Sequence, residues 1–230
     1  DPPVLKHPAL SLPPSCTAIA SGTPLQPILD AAQEGDTLCL GEGEWTGAIV
    51  VPPGVSLYGS PRSVLHTNRV GTTVLLKSRT ALRGMTIDGS GDRFDVLDSA
   101  VKINGEDVFV EGVTIKNSAF GILAEKSARV TIRHNVVIGT GGPALGMRGD
   151  GIRLWETNDS LVESNDVDAV RDCVVWYSSR NVLRNNLVRH SRYGVHFMYS
   201  HGNRLEHNFF ANNEVGVFAM YSRNLNITGN

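Results

Sequence analysis

Trp155, Tyr177, Tyr199 and Tyr221 stand 22 residues apart, and Asn186, Asn208 and Asn230 keep the same interval. Asn165 precedes that second column one residue out of phase. A third column, Cys173, Val195 and Val217, is followed each time by residues that alternate as a strand does between two faces. A period of this length marks a repeat whose single unit cannot bury its apolar side without a neighbour. Short strands joined by turns, with no helical periodicity inside the unit, predict an all-β parallel solenoid with coils of about 22 residues. Asn suits its corners because it tolerates left-handed backbone and bonds locally to the main chain, and stacked Asn side chains ladder between coils. At about 4.8 Å per rung, eight or nine coils make a rod on the order of 40 Å long.

Earlier stretches follow the plan more loosely, as in Leu82–Ile87, Val110–Ile115 and Ile132–Val137. Thr140 to Arg148, rich in Gly and containing Pro143, lengthens one coil and is expected to project from an edge of the stack. An open coil exposes strand edges, so the ends need covers. Thr23-Pro24 reads as an N-cap and first helical residue, with Leu25, Ile28, Leu29 and Ala32 on one apolar face and Glu34-Gly35-Asp36 as the stop. The expected division is a Pro-rich arm over residues 1–22 and a solenoid over 23–230. The sequence breaks off straight after a repeat's turn, from which a longer solenoid, truncated here at its C-terminal end, is expected.

The balance of 21 Lys+Arg against 23 Asp+Glu, net −2, supplies no basic excess for nucleic acid, and no apolar run approaches the roughly 18 residues of a transmembrane segment. Residue 1 follows any secretory signal, since neither a charged nor an apolar leader region is in this numbering. Three cysteines make no metal or redox pair. Cys16 and Cys39 can join if the protein is exported, and Cys173 reads as a buried hydrophobe.

The order of short helix, Glu-Gly-Asp-Thr, Gly-Glu-Gly-Glu-Trp-Thr and Val-Ser-Leu-Tyr-Gly across residues 25 to 59 resembles the start of pectin-lyase-like right-handed β-helices with carbohydrate-binding and sugar-hydrolase repeats. More narrowly, Gly149–Trp155, Asp172–Ser178 and above all Tyr193-Gly194-Val195-His196-Phe197-Met198-Tyr199-Ser200 resemble the repeats of the NosD family. That resemblance implies a non-catalytic periplasmic accessory protein for the copper centres of nitrous oxide reductase. Its implied partners are an ABC transporter and copper-delivery or reductase proteins.

If Val195, Phe197 and Tyr199 face the core, so do Val217, Ala219 and Tyr221, and His196, Met198, Phe218 and Met220 point outward. Val174 and Trp176 join them from the preceding rung. With the register reversed, the same residues are simply core. The outward stripe reads as a contact patch, with Trp176 and Phe218 meeting a partner. His196, Met198 and Met220 are the candidate metal ligands, because thioethers and imidazole suit copper, Cu(I) especially. His134, His207, His190 and His201 read as turn histidines. An enzyme on acidic polysaccharide is the alternative, resting on Arg148, Asp150, Arg153, Glu156, Arg171, Asp172 and Arg192. Asp150 and Asp172 are expected to stack, with Arg153 and Arg171 interleaved to offset them. A passive carbohydrate-binding solenoid with Trp176 and Phe218 as its platform is the third reading.

Overall fold

A computed structural model describes residues 3–230, which leaves Asp1 and Pro2 of the expected arm outside the described residues. The chain winds through three parallel sheets in strict rotation. The first has ten strands from Thr17–Ile19 to Asn226–Thr228, the second eight from Gly43–Thr46 to Phe209–Ala211, and the third eight from Ile49–Val51 to Val215–Met220. Each strand pairs with its counterpart in the coil before and after, as Val182–Arg184 does with Leu161–Glu163 and Arg204–Glu206. The expected all-β parallel solenoid is the observed fold.

Inward columns form the core because strand alternation puts the same apolar position inside in every coil. Leu57, Leu82, Val110, Ile132, Val162 and Leu183 make one such column in the first sheet, all buried. Thr17–Ile19 pairs with Thr37–Leu40, and a Cys16–Cys39 disulfide joins the two, with 5.8 Å between Cα atoms. The helix Leu25–Ala31 buries Leu25 and Leu29, with Ile28 and Ala32 packed against the core. Its N-cap is Pro24, not Thr23, whose hydroxyl donates to the Ala20 carbonyl at 2.8 Å instead and closes the preceding turn.

Asparagine amides run up the corner between the first and second sheets. Asn135, Asn165, Asn186 and Asn208 each donate from Nδ2 to Oδ1 of the next, at 2.7 to 2.9 Å, and Asn230 is the last acceptor. Asn165 is in line because its coil to Asn186 is one residue shorter than the 22-residue step from Asn186 to Asn208. Left-handed backbone falls one residue earlier than expected, at His134 (φ 56°), Ser164 (54°), Asn185 (54°) and His207 (54°). That residue makes the sharp bend, which frees the following Asn to turn its amide inward. His134 and His207 are thus turn residues. The Thr140–Arg148 insertion carries the 3-10 turn Leu145–Met147 and is pinned by Arg148, whose Nε donates to Gly142 O (2.6 Å) and Nη1 to His190 O (2.7 Å).

Candidate functional site on the third sheet

Three strands of the third sheet, Asp172–Trp176, Tyr193–Met198 and Val215–Met220, carry the expected stripe. Val195 and Phe197 are in the core, which settles the register. His196 lies between Val174 and Phe218, and Met198 between Trp176 and Met220. Met198 and Met220, half-buried, are therefore direct neighbours across a strand pair.

The alternation stops at Met198. The register puts Tyr199 and Tyr221 inside, but these two and Tyr177 each begin the corner with φ near 50° and are exposed, Tyr177, Tyr199 and Tyr221 at 45%, 44% and 68%. A left-handed residue at a strand's end breaks the two-residue alternation and swings its side chain outward. The three rings stack on one another, at centroid distances of 5.3 and 4.9 Å. Val174, expected on the outer surface, is buried, and so is His196. The outer face here is roofed by its own long side chains.

His196 stands among three rings, Trp176 and Tyr193 edge-on at 5.2 Å and Phe218 at 5.3 Å. Neither ring nitrogen has a hydrogen-bond partner, and the nearest carboxylate oxygen, Asp172 Oδ2, is 3.8 Å from Nδ1. Phe218 stacks on Tyr193 at 4.8 Å. Sequence reasoning missed Tyr193 and the register of Arg153 with Val174, because the 21-residue step between those coils breaks the 22-residue column.

The charged group forms a ladder along the same face. Asp150 accepts from Arg171 Nε and Nη2 at 2.9 and 3.0 Å, and from Arg153 Nη1 at 3.3 Å. Asp172 is held by both Nε and Nη2 of Arg192, and Arg171 Nε lies 3.9 Å away. Interleaving by Arg153 and Arg171 is thus as expected, while Glu156 is exposed at a corner and Arg148 serves the insertion. Both carboxylates are fully buried. Burial pushes the Asp150 carboxyl up against the pull of Arg171 and Arg153. For Asp172 burial also opposes ionisation, but His196, Arg192 and Arg171 outweigh it and hold the carboxyl below its ordinary value. Burial lowers Arg153, whose guanidinium lies 4.4 Å from the Trp155 ring centroid and 5.2 Å from that of Trp176.

The other histidines stay apart from this site. His190 Nδ1 is 2.8 Å from Asp168 Oδ1, and His201 Nδ1 accepts from the Arg223 backbone at 3.0 Å. Among the described residues no group of three or more His, Cys, Asp or Glu is placed to hold a metal, so thioethers would have to complete any site at His196. Among the described residues no helix is long and apolar enough to cross a membrane.

By fold this is a parallel β-helix, and solved structures of that class resemble it. The mannuronan C-5 epimerase AlgE4 A-module of Azotobacter vinelandii has a TM-score of 0.62 at 18% identity, over 88% of this chain and 70% of that one. The alginate lyase of Paenibacillus sp. str. FPU-7 has a TM-score of 0.51 at 14% identity, over 91% and 99%. At such identities the likeness is one of fold. Residues 139–230 match the family model described as "Periplasmic copper-binding protein (NosD)". Over 133 residues the chain is 29% identical to the "Probable ABC transporter binding protein NosD" of Stutzerimonas stutzeri, a match spanning 56% of this chain and 30% of that protein. The chain is thus a parallel β-helix that is similar to NosD proteins, over residues 139–230 for the family model and at low identity.

Proposed function

We propose that this chain is a non-catalytic periplasmic accessory protein that handles Cu(I) during copper-site assembly of nitrous oxide reductase, working beside an ABC transporter. The observation that carries it is the pairing of Met198 with Met220 in direct register beside a buried His196 whose ring nitrogens are both free. Two thioethers and one imidazole form a soft donor set, which selects Cu(I) over harder divalent ions. Asp172, 3.8 Å from Nδ1, stands where it can orient the ring and leave Nε2 for the metal. The family description and the relative's name support periplasmic copper handling and association with a transporter.

Catalysis on acidic sugars is the weaker reading. A glycosidase or lyase needs carboxyl groups that reach substrate, whereas Asp150 and Asp172 are sealed from solvent and held as acceptors by arginine forks.

Anaerobic Cu(I) titration against a competing chelator tests the proposal. The wild type is expected to bind one equivalent, and the Met198→Leu/Met220→Leu double variant, which keeps the side-chain volume, to lose affinity by about a hundredfold. Absence of binding by the wild type, or equal binding by both, would overturn the ligand assignment.

A further inference from the structure

Beside the methionine pair, the roofed face holds two buried donors with nothing to donate to. Arg153 Nε and Trp176 Nε1 are both enclosed and without partners, and the Arg153 side chain is only 8% exposed. Edge contacts with neighbouring rings satisfy an N–H far less well than an oxygen acceptor does, and a buried donor left without one is costly. The ladder's charges do not balance either. Three guanidinium groups, Arg153, Arg171 and Arg192, face two carboxylates, Asp150 and Asp172. Both arginine forks that lie flat on a carboxylate belong to Arg171 and Arg192. Arg153 has a single hydrogen bond to a carboxylate, at 3.3 Å, and Glu125, which also attracts it, is itself paired with Lys102, so the excess positive charge is centred on Arg153.

We propose that Arg153 and Trp176 form a receptor for a carboxylate side chain, through which an acidic segment of a partner protein docks on the third sheet. The proposal rests on the reading of this face as a docking face. Charge complementarity selects the partner: one negative charge neutralises the ladder, and a carboxylate accepts from Arg153 Nε and Trp176 Nε1 together.

The surroundings favour a protein over a sugar. A saccharide stacks on an open ring face, and the rings beside Arg153 have theirs covered, the open face of Tyr221 lying three rungs away. Tyr199 is stacked by Tyr177 and Tyr221, Phe218 lies on Tyr193, and the Arg153 guanidinium covers Trp155. What is left at the surface is thioether and ring edge around a cationic centre, the composition of a protein–protein hot spot.

The test is nuclear magnetic resonance of the Trp176 indole and Arg153 Nε–H signals during titration with a blocked hexaglutamate peptide, its hexaglutamine counterpart, sodium sulfate and an oligouronate. We expect both signals to move downfield with hexaglutamate alone. Arg153→Gln is expected to weaken that binding about tenfold or more, and Arg180→Gln, whose partner Asp159 lies at an exposed corner of another face, to leave it unchanged. Arg171 keeps Asp150 paired in the Arg153→Gln variant, and a circular dichroism spectrum like the wild type's confirms its fold. No shift, or an equal shift with hexaglutamine, overturns the receptor. Saturation by sulfate or oligouronate at equal affinity overturns the protein partner. Cu(I) affinity measured on the same proteins separates the two proposals: Arg153→Gln keeps it, and Met198→Leu/Met220→Leu loses it while still binding the peptide.

Discussion

Cys173 begins the repeating Cys/Val/Val column and points into the core, where burial pushes its thiol up to about 12. A thiol that does not ionise is not a nucleophile. We expect no reaction with a disulfide reagent at pH 8 in the folded protein, and one equivalent per chain in guanidinium without reductant, where the Cys16–Cys39 bond persists. Asp172, next to it, governs an acid-side dependence. Its folded pKa is depressed, so its contribution is present above the unfolded carboxylate value of about 3.9 and is lost as pH falls through the lower folded value. Asp172→Asn strands Arg192 and should cost about 3 kcal/mol at pH 7, with the gap to wild type narrowing below about pH 4. Denaturant melts at pH 7 and pH 3 measure both limbs. The identity of the charged residues was legible in the sequence, because like residues recur about one coil apart. Their partnering was not: which arginine lies flat on which carboxylate depends on coils of 21 and 22 residues and on a register shift between Asp172 and Val174 that adds one residue to the next strand.

At the scale of strands and corners, the readable part is whatever repeats. Columns of Val, Leu and Ile predict the sheets because alternation within a strand is fixed by backbone geometry. The strand ends are harder, since one left-handed residue reverses the side-chain direction, as at Tyr199 and Tyr221. A corner amide is also worth more than its turn propensity suggests. Asn186 Oδ1 accepts from the Asn165 backbone N (3.0 Å) and Nδ2 (2.9 Å), while its own Nδ2 donates to Val162 O and Asn208 Oδ1, each at 2.9 Å. Asn186→Ala leaves several buried groups without partners and should destabilise the protein by about 3 kcal/mol or more. Asn68→Ala, at an exposed bend outside the left-handed region, should change stability by less than about 0.5 kcal/mol. Parallel urea titrations of the two variants check the contrast, and equal effects would mean the ladder contributes no more than an ordinary turn.

Over the whole molecule, each coil touches only its neighbours, so stability is distributed along one axis and can be lost locally. The first rung is the exposed case. Thr17–Ile19 has a partner on one side alone, Thr37–Leu40, and is fastened to it by the disulfide across 23 residues of sequence. Closing a loop of that length restricts the unfolded chain and contributes about 3 kcal/mol. The contribution is spent on the end of the stack that the helix Leu25–Ala31 also covers, through Leu25 and Leu29. Cys16→Ser/Cys39→Ser should therefore speed amide exchange across residues 17–40 by opening that rung and the helix together. The strands Asp172–Trp176 and Tyr193–Met198, five and six rungs farther along the third sheet's order from Ile49–Val51, should keep their protection. Hydrogen exchange read by mass spectrometry distinguishes this from a single cooperative unit, in which the third-sheet strands would lose protection along with the first rung. In a one-dimensional stack the redox state of the first rung thus leaves the Met198, Met220 and Arg153 face intact, and Cu(I) affinity of the serine variant should equal that of the wild type.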